Sequence, residues 1–534
     1  MRLPFRWSRG IIPRFPTRVK LNCFTVFRLD ARVSLDYNEQ AGNDPARRIR
    51  RGIAILKFDN ARALLNNAAS YGENAAYKEK NENGEWEAYS FRRVVSDVNA
   101  LSARLYADGL KGKHIGIMGL NTYNWIRAYL SVLCGLGVVA LIPADSSRED
   151  VEALVRAADV EALLADDRVI PVADGLVPVY PFSAFADLIE EGRKLLDDGR
   201  VCLSDFETRP DDLAKIIFTS GTTGARKGVM LTQKNMLCIA TSDFVPIMGH
   251  VSVSVLPLSH AFECVCHILP AIYYGCEMYL CPSLRAFPPA VAQSGAETLF
   301  IVPALAEALL TRFRPFLNKA ASLKRVVCGG APVPKQLVDE YAKIGIKLLA
   351  GYGLSECAPL VSLDIRGAAG SVGAVGEYCR ARISEDGEIQ VRGLNVMSGY
   401  YKNEAATRAA FTDDGWLRTG DLGEFDADGN LYITGRIKNL IILPNGENVS
   451  PEELETRVIN RVPGVTDALC RADGANLAIT LYLGGDTAPE TREAVKRAVA
   501  AENNLLPAYK RIQKVDFTSE PFPVSATGKK LRRN

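Results

Sequence analysis

The feature that most constrains this chain is a recurrence of short apolar runs, each followed by a loop that contains glycine or proline. From Ala54 these runs alternate with helix-like segments for about 380 residues, which is typical of an α/β architecture. The predicted buried strands include 215–219, 298–302, 325–328 and 347–350. Because α/β proteins bind ligands where the carboxyl ends of strands meet loops, the loops after these runs are the first candidates for a site.

The pattern changes after Val375. Two alternating runs, 377–382 and 388–392, are joined by the turn Glu385-Asp386-Gly387, which predicts an antiparallel hairpin. Further turn signals lie at 426–430 and at Asn445-Gly446. Ser450 followed by Pro451 and two glutamates predicts a helix over 451–460, with Ser450 as its N-cap. The last hundred or so residues therefore read as a compact α+β unit.

The charge balance does not indicate nucleic acid as a partner. The chain has 64 Lys plus Arg, 62 Asp plus Glu and a net charge of +2. Residues 1–52 carry twelve basic and four acidic side chains, a local +8 that leaves −6 for the rest. We predict that this atypical basic extension is dispensable for catalysis. A targeting arm, a surface-binding arm and an upstream start of translation are its alternative interpretations.

The cysteine pattern predicts buried, reduced thiols. The twelve cysteines include no Cys-x-x-Cys pair, and the cluster Cys264, Cys266, Cys276 and Cys281 lacks the spacing of common zinc sites.

The most apolar run, 128–144, is shorter than the about 20 residues that a membrane span needs. It contains glycines and ends at Pro143. We therefore predict a buried helix to Cys134, a glycine turn and a buried strand over 138–142.

A ten-residue segment after the predicted strand 215–219 is rich in small, hydroxylic and basic residues. Glycines let a backbone wrap an anion, hydroxyls donate hydrogen bonds and lysine adds charge, so the segment suits a nucleotide polyphosphate. It does not align with a Walker A loop, and a flexible surface loop is the alternative. The segment reads Thr219-Ser220-Gly221-Thr222-Thr223-Gly224-Ala225-Arg226-Lys227-Gly228.

Two further motifs follow the same logic. In Gly351-Tyr352-Gly353-Leu354-Ser355-Glu356 the tyrosine suits base stacking, the serine a phosphate and the glutamate Mg²⁺, although a solvated turn fits equally well. Asp421 and Arg436 are separated by the span of one hairpin, so their side chains are expected to converge on one ligand, such as a ribose.

Together these motifs resemble the adenylate-forming superfamily, which contains acyl-CoA synthetases, adenylation domains of peptide synthetases and luciferases. The resemblance extends from about Phe58 to Lys529 and keeps the family's motif order. It implies an α/β fold with a large multi-sheet domain over 53–436 and a smaller, mobile α+β domain over 437–534. Departures such as Phe218, Arg226, Ser355 and Ser525 keep size or a hydroxyl, so an active site is expected.

The resemblance also implies roles for individual residues. The segment 219–228 would bind phosphates, Glu356 would hold Mg²⁺ and Lys438 would be the hinge between the domains. Lys529 would be the catalytic lysine, and we expect Lys530, Arg532 and Arg533 to form a solvated basic tail. The other residues implied to contact the nucleotide are Gly330, Ala331 and Pro332 with the stacking Tyr352 at the adenine, Gly353 in the same loop, Ser355 near the α-phosphate, and Asp421 and Arg436 at the ribose.

The segment Leu256-Pro257-Leu258-Ser259-His260-Ala261-Phe262-Glu263 resembles long-chain acyl-CoA synthetases and would place His260 near the acyl and nucleotide pocket. No aspartate follows that would pair an amino acid's ammonium, and we interpret His267 as a core histidine. The resemblance implies a cytoplasmic fatty acid–CoA ligase that uses ATP, Mg²⁺ and coenzyme A on a medium- to long-chain acid. Transfer to an acyl carrier protein, a non-catalytic adenylate-binding protein and peripheral membrane contact stay open.

Overall fold

The structure is a computed structural model that describes residues 56–219, 226–242, 247–368, 370–444, 447–474, 476–485, 488–523, 530 and 532. The predicted extension 1–52, the turn Asn445-Gly446 and the catalytic candidate Lys529 lie outside the described residues. Within the described ranges, no helix is both long enough and apolar enough to cross a bilayer.

The strands are numbered here in chain order. They are β1 Ala75–Lys80, β2 Trp86–Ser90, β3 His114–Met118, β4 Val138–Ile142, β5 Ala162–Ala165, β6 Val179–Pro181, β7 Leu213–Thr219, β8 Lys227–Thr232, β9 Val251–Ser254, β10 Glu277–Leu280, β11 Thr298–Ile301, β12 Arg325–Cys328, β13 Lys347–Tyr352, β14 Ser362–Leu363, β15 Ala374–Val375, β16 Cys379–Ile383, β17 Glu388–Gly393, β18 Gly399–Tyr400, β19 Leu417–Phe425, β20 Leu431–Arg436, β21 Ile441–Ile442, β22 Asn448–Val449, β23 Asp467–Asp473, β24 Asn476–Tyr482 and β25 Ile512–Thr518.

The α-helices cover the segments between these strands. Their bounds are Ala61–Ala68, Phe91–Ala107, Tyr123–Ser131, Arg148–Ala157, Ile170–Ala173, Phe185–Asp197, Gln233–Ala240, Ala261–Glu263, Leu269–Tyr274, Phe287–Gln293, Pro303–Leu310, Arg314–Leu317, Lys335–Lys343, Glu404–Ala410, Pro451–Arg461 and Pro489–Asn503.

Two large, mostly parallel sheets form the α/β part of the fold. One has the strand order β18-β8-β7-β4-β3-β5-β6 and the other β15-β14-β13-β12-β11-β9-β10-β1-β2. The runs predicted as buried strands lie in β7, β11, β12 and β13, and the last three are parallel neighbours. Their carboxyl ends therefore meet at one edge of the sheet, as the sequence predicts.

The apolar run 128–144 is buried as predicted. It forms the end of helix Tyr123–Ser131, a π-helical turn Val132–Leu136 and strand β4. Gly135 in that turn has φ +102°, and a Cβ there would lie 1.9 Å from the carbonyl oxygen of Phe206. Only glycine fits both this conformation and this close approach.

The antiparallel region also follows the sequence prediction. Strands β16, β17, β19 and β20 form a four-stranded sheet, and the predicted turn joins β16 to β17 with Gly387 at φ +82°. Further along the chain, Ser450 accepts a hydrogen bond from the backbone N–H of Glu453. The predicted helix starts at Pro451 and ends at Arg461, one residue beyond its expected end.

The segment after residue 440 has a hydrophobic core of its own. Side chains from the two helices Pro451–Arg461 and Pro489–Asn503 pack on the three-stranded sheet β23-β24-β25. Val458, Ile479 and Val495 are buried in this core. The α+β character predicted for the last hundred residues is confirmed.

The described cysteines are free thiols, and all of them except Cys202 are buried. Burial raises the pKa of Cys134 to about 11, so this thiol stays protonated. Within the described ranges no group of three or more His, Cys, Asp or Glu side chains is placed to hold a metal ion. The buried thiols are therefore core residues, as the sequence predicts, and the exposed Cys202 is the exception among the described cysteines.

Candidate active site

The site is built around Asp421, whose carboxylate is held from two sides. Asp421 on β19 lies opposite Arg436 on β20 in the hairpin register. The Nε atom of Arg436 is 2.8 Å from Oδ1 of Asp421. The hydroxyl of Tyr352, at the end of β13, donates to Oδ2 at 2.9 Å. The structure therefore brings together three residues that the sequence analysis assigned to one ligand.

Burial strengthens this arrangement. Asp421 is 2% exposed and Tyr352 is 9% exposed. Burial, and secondarily the Asp421 carboxylate, raises the pKa of Tyr352 well above its ordinary value. The phenol therefore stays protonated and remains a hydrogen-bond donor, which keeps the carboxylate in one orientation.

The loop after Tyr352 is tightly constrained. A Cβ at Gly353 would lie 1.7 Å from the carbonyl oxygen of Pro359, so the backbone passes here only as glycine. Ser355 and Glu356 follow in the 3₁₀ turn Ser355–Cys357. The neighbouring parallel strand β12 leads into Gly330, which has φ +82°, and then Ala331 and Pro332. These candidates for the adenine site lie beside the Tyr352 loop.

Glu356 is held by a residue that the sequence analysis did not single out. The hydroxyl of Tyr400 donates to Oε1 of Glu356 at 2.9 Å. The ammonium of Lys227 lies over the Tyr400 ring, 5.0 Å from its centroid. Tyr400 reaches Lys227 through the pairing of β18 with β8 and contacts Glu356 across 44 residues of chain, so no sequence signal marks it.

Glu356 fits a Mg²⁺ site with few protein ligands better than a metal site that several protein side chains form together. Mg²⁺ binds through one or two carboxylates, several waters and the phosphate oxygens of a substrate. Glu356 is a half-buried carboxylate near Lys227, and among the described residues no cluster of three or more acidic, His or Cys side chains is placed to hold a metal, so the donor set fits Mg²⁺ bound together with a substrate's phosphates.

The two described ends of the segment 219–228 face each other. Thr219 at the end of β7 is paired with Lys227 at the start of β8, and Arg226 forms an ion pair with Asp150. Ser220, Gly221, Thr222, Thr223 and Gly224 lie outside the described residues. Their predicted phosphate contacts remain predictions.

His260 directly precedes the short helix Ala261–Glu263, at its N-cap position. Asn121 holds the preceding loop, with its side-chain amide donating to the carbonyl oxygen of Leu256 at 2.8 Å. His260 as a whole is exposed to solvent. The protein around its imidazole nevertheless disfavours the charged form and lowers the pKa of the side chain. A neutral imidazole at neutral pH follows.

His267 is a core histidine, as interpreted from the sequence. It is fully buried between the carboxylate of Glu263, at 2.8 Å, and the hydroxyl of Ser252, at 2.9 Å. Its ring stacks on Phe300 with a centroid separation of 4.4 Å.

Lys438, the hinge candidate, lies in the 3₁₀ turn Ile437–Asn439 directly after Arg436. Desolvation, and then the charge of Arg436, lowers its pKa.

The prediction of a solvated tail after Lys529 was wrong for the two tail residues that are described. Arg532 forms two hydrogen bonds with Glu455, at 2.9 and 2.8 Å, and Lys530 forms an ion pair with Asp467. Their side chains are only 22% and 21% exposed. Carboxylates at the start of helix Pro451–Arg461 and of β23 attract a basic run that would otherwise be solvated.

The family model described as AMP-binding enzyme matches residues 64–401. The chain belongs to this family, and the resemblance inferred from the sequence is confirmed.

Two curated relatives are CoA ligases. A long-chain-fatty-acid–CoA ligase of Escherichia coli O157:H7 is 33% identical over 359 residues, which are 61% of this chain and 62% of that ligase. The chain thus spans 62% of that relative's length. The 4-coumarate–CoA ligase 3 of Oryza sativa subsp. japonica is 30% identical over 394 residues, covering 67% of this chain and 69% of the relative.

A solved structure supports the fold over most of the chain. The anthranilate–CoA ligase AuaEII in complex with anthranoyl-AMP superimposes with a TM-score of 0.76 at 19% identity. The superposition covers 89% of this chain and 96% of that one.

Proposed function

We propose that this protein activates a carboxylic acid with ATP and then transfers the acyl group to the thiol of coenzyme A. The first half-reaction gives acyl-AMP and pyrophosphate, and the second gives the thioester and AMP. The observation that carries the proposal is the buried Asp421 carboxylate, which Tyr352 and Arg436 orient. The loop that follows Tyr352 carries Glu356. Membership of the AMP-binding enzyme family supports it.

The nucleotide would be held by residues on several elements. Asp421 would accept hydrogen bonds from the ribose hydroxyls, and Arg436 would hold that carboxylate in place. The backbone at Gly330, Ala331 and Pro332 would line the adenine. The segment 219–228 would donate to the phosphates, with Lys227 as its cation. Mg²⁺, which Glu356 would hold, neutralises charge on phosphate oxygens when it is bound.

In the first step an oxygen of the substrate carboxylate would attack the α-phosphorus. A new P–O bond forms, the bond to the bridging oxygen breaks, and pyrophosphate leaves with that electron pair. Charge accumulates on the phosphoryl oxygens, so catalysis is mostly positioning and electrostatic stabilisation. Lys529 would contact both the carboxylate and the α-phosphate in this step.

In the second step the sulfur of coenzyme A would lose its proton to solvent and form a bond to the acyl carbon. The bond from that carbon to the phosphate oxygen would break, and AMP would leave as the phosphate anion. The segment after Lys438 would turn between the two steps and withdraw Lys529. The domain division at residues 436 and 437 is part of this proposal. The separate hydrophobic core of the last hundred residues supports it.

We propose a medium- to long-chain fatty acid as the substrate. The segment 256–263 and the E. coli relative support this assignment. Phe262 and Phe300 pack near each other, with ring centroids 6.0 Å apart, and a Cβ at Gly329 would lie 3.6 Å from Phe262. These residues suit an apolar wall beyond His260. The coumarate ligase among the relatives makes an aryl acid the competing substrate class.

A pyrophosphate-release screen tests the proposal. Saturated acids from acetate to octadecanoate are compared with benzoate, anthranilate and coumarate, each with ATP and Mg²⁺. Release that peaks with the longer alkyl acids supports the fatty acid assignment, and release that peaks with aryl acids overturns it. ATP binding without release from any acid would indicate a non-catalytic adenylate-binding protein.

The acceptor is tested by competition. Coenzyme A and a phosphopantetheinylated acyl carrier protein are offered together, and the thioesters are separated by mass. If the thioester forms only on the carrier protein, the carrier protein replaces coenzyme A as the proposed acceptor.

A further inference from the structure

Tyr400 lies between the two charged groups that flank the proposed phosphate site. Its hydroxyl donates to Oε1 of Glu356 at 2.9 Å, and its ring lies under the ammonium of Lys227. Lys227 lies in β8 of one large sheet, and Glu356 lies in the 3₁₀ turn that follows β13 of the other. Tyr400 therefore contacts one charged group from each part of the fold.

The backbone around Tyr400 is fixed at several points. In β18, Tyr400 is paired with Val229 of β8. Its N–H donates to the hydroxyl of Thr407 at 2.8 Å, and the N–H of the next residue, Tyr401, donates to the carbonyl oxygen of Gly228 at 2.8 Å. Just before β18, the N–H of Met397 donates to the carbonyl oxygen of Glu356 at 2.8 Å. Tyr400 is thus anchored to both of its partners' chain segments.

We propose that Tyr400 is a positioning residue for the magnesium complex of ATP, which it serves by orienting the Glu356 carboxylate and the Lys227 ammonium. The proposal rests on the proposed function. The phenol bonds to Oε1 of Glu356, so Oε2 would be the oxygen offered to a cation.

The choice of an aromatic ring for Lys227 has a physical consequence. A carboxylate partner would neutralise the ammonium and compete with phosphate for it. A ring face attracts the cation without a formal negative charge, so Lys227 is held while its charge stays available to an anion. Burial, and secondarily Glu356, raises the pKa of Tyr400, which keeps the hydroxyl a donor.

Two substitutions separate the contributions of the hydroxyl and the ring. Tyr400→Phe removes the hydrogen bond and keeps the ring under Lys227, whereas Tyr400→Leu removes both. Tyr401→Phe is the matched control, because the Tyr401 hydroxyl bonds to the exposed Asp159 instead. ATP affinity is measured by calorimetry with Mg²⁺ and with EDTA, and pyrophosphate release gives KM for ATP and for the acid. Thermal unfolding midpoints show whether each variant is folded.

We expect Tyr400→Phe to weaken ATP binding about tenfold with Mg²⁺ and by less than about twofold with EDTA, because a hydrogen bond to a charged group is lost. Tyr400→Leu should weaken binding in both conditions. KM for the acid should stay unchanged in both variants, and Tyr401→Phe should match the wild type. Adding Tyr400→Phe to Glu356→Gln should cause no further loss, since the two residues act as one unit.

Additive losses in that double variant, or equal affinities of Tyr400→Phe and wild type with Mg²⁺, would overturn the role of Tyr400. Tighter binding by Tyr400→Phe would also overturn it, because the phenol would then compete with the cation. In each of these cases the wild-type enzyme still releases pyrophosphate, so the proposed function stands. If the wild type binds no ATP, both proposals fail together.

Discussion

Arg532 and Glu455 form a two-fold hydrogen-bonded ion pair, with Nη1–Oε1 at 2.9 Å and Nη2–Oε2 at 2.8 Å. Glu455 is 5% exposed. Arg532 is three residues beyond Lys529, so this pair ties the end of the lysine-bearing segment to helix Pro451–Arg461. The sequence suggests a solvated basic tail here. The ion pair of Arg532 with Glu455 instead fixes a point of the chain three residues after the proposed catalytic lysine.

Arg532→Met is expected to destabilise the protein and to slow adenylation. It leaves the buried Glu455 carboxylate with the backbone N–H of Cys470 at 2.6 Å and, among the described residues, the ammonium of Lys530 at 3.9 Å, and we expect a loss of about 2 kcal/mol in the free energy of unfolding. Urea denaturation and pyrophosphate release measure the two effects. The control is Arg471→Met, which breaks the ion pair to Asp516 between side chains 44% and 36% exposed, and should cost under about 1 kcal/mol. Equal losses in both variants would contradict the anchoring role of Arg532.

Asp421→Asn is expected to weaken ATP binding and to lower pyrophosphate release by about 10²–10³. The amide keeps the size of the side chain, but its NH₂ group cannot accept from the Tyr352 phenol or pair with Arg436 as a carboxylate does. Asp428→Asn, on the exposed turn of the same hairpin, is the control and should behave as the wild type. Calorimetry with ATP checks the outcome, and wild-type affinity in Asp421→Asn would remove this residue from the ribose site.

Lys529→Ala is expected to slow acyl-AMP formation by about 30- to 1,000-fold and to spare thioester formation from supplied acyl-AMP. The lysine is proposed to contact the carboxylate and the α-phosphate only in the first step, worth about 2–4 kcal/mol if the contact is made in the transition state alone. Single-turnover assays of the two half-reactions measure this separately. A parallel fall in both would refute the assigned role.

Lys438→Pro is expected to have the opposite effect, slowing thioester formation while adenylation continues. Proline fixes φ near −65° and so restricts the turn between the two proposed conformations. Lys438→Ala keeps the backbone free and is the matched control. If the alanine variant loses thioester formation equally, the lysine side chain matters and the hinge interpretation fails.

The elements that the sequence predicted are those set by local rules. The buried strands β7, β11, β12 and β13 follow from short apolar runs, and the helix at Pro451 follows from its cap. Asp421 and Arg436 were expected to converge because one hairpin separates them, and a hairpin's register depends on its own turn. Such relationships are readable because the interacting residues are close in the chain.

The sequence by itself thus determined the α/β class, the antiparallel region after residue 375 and the family. The order of motifs along the chain is a property of the sequence and needs no structure to be recognised. The tertiary structure alone decided two other relationships. Tyr400 contacts Glu356 across 44 residues of chain, and Arg532 contacts Glu455 across 77. No periodicity or spacing connects residues that far apart. Their partners are selected by which strands pair and which carboxylates are buried, and these are properties of the packed chain.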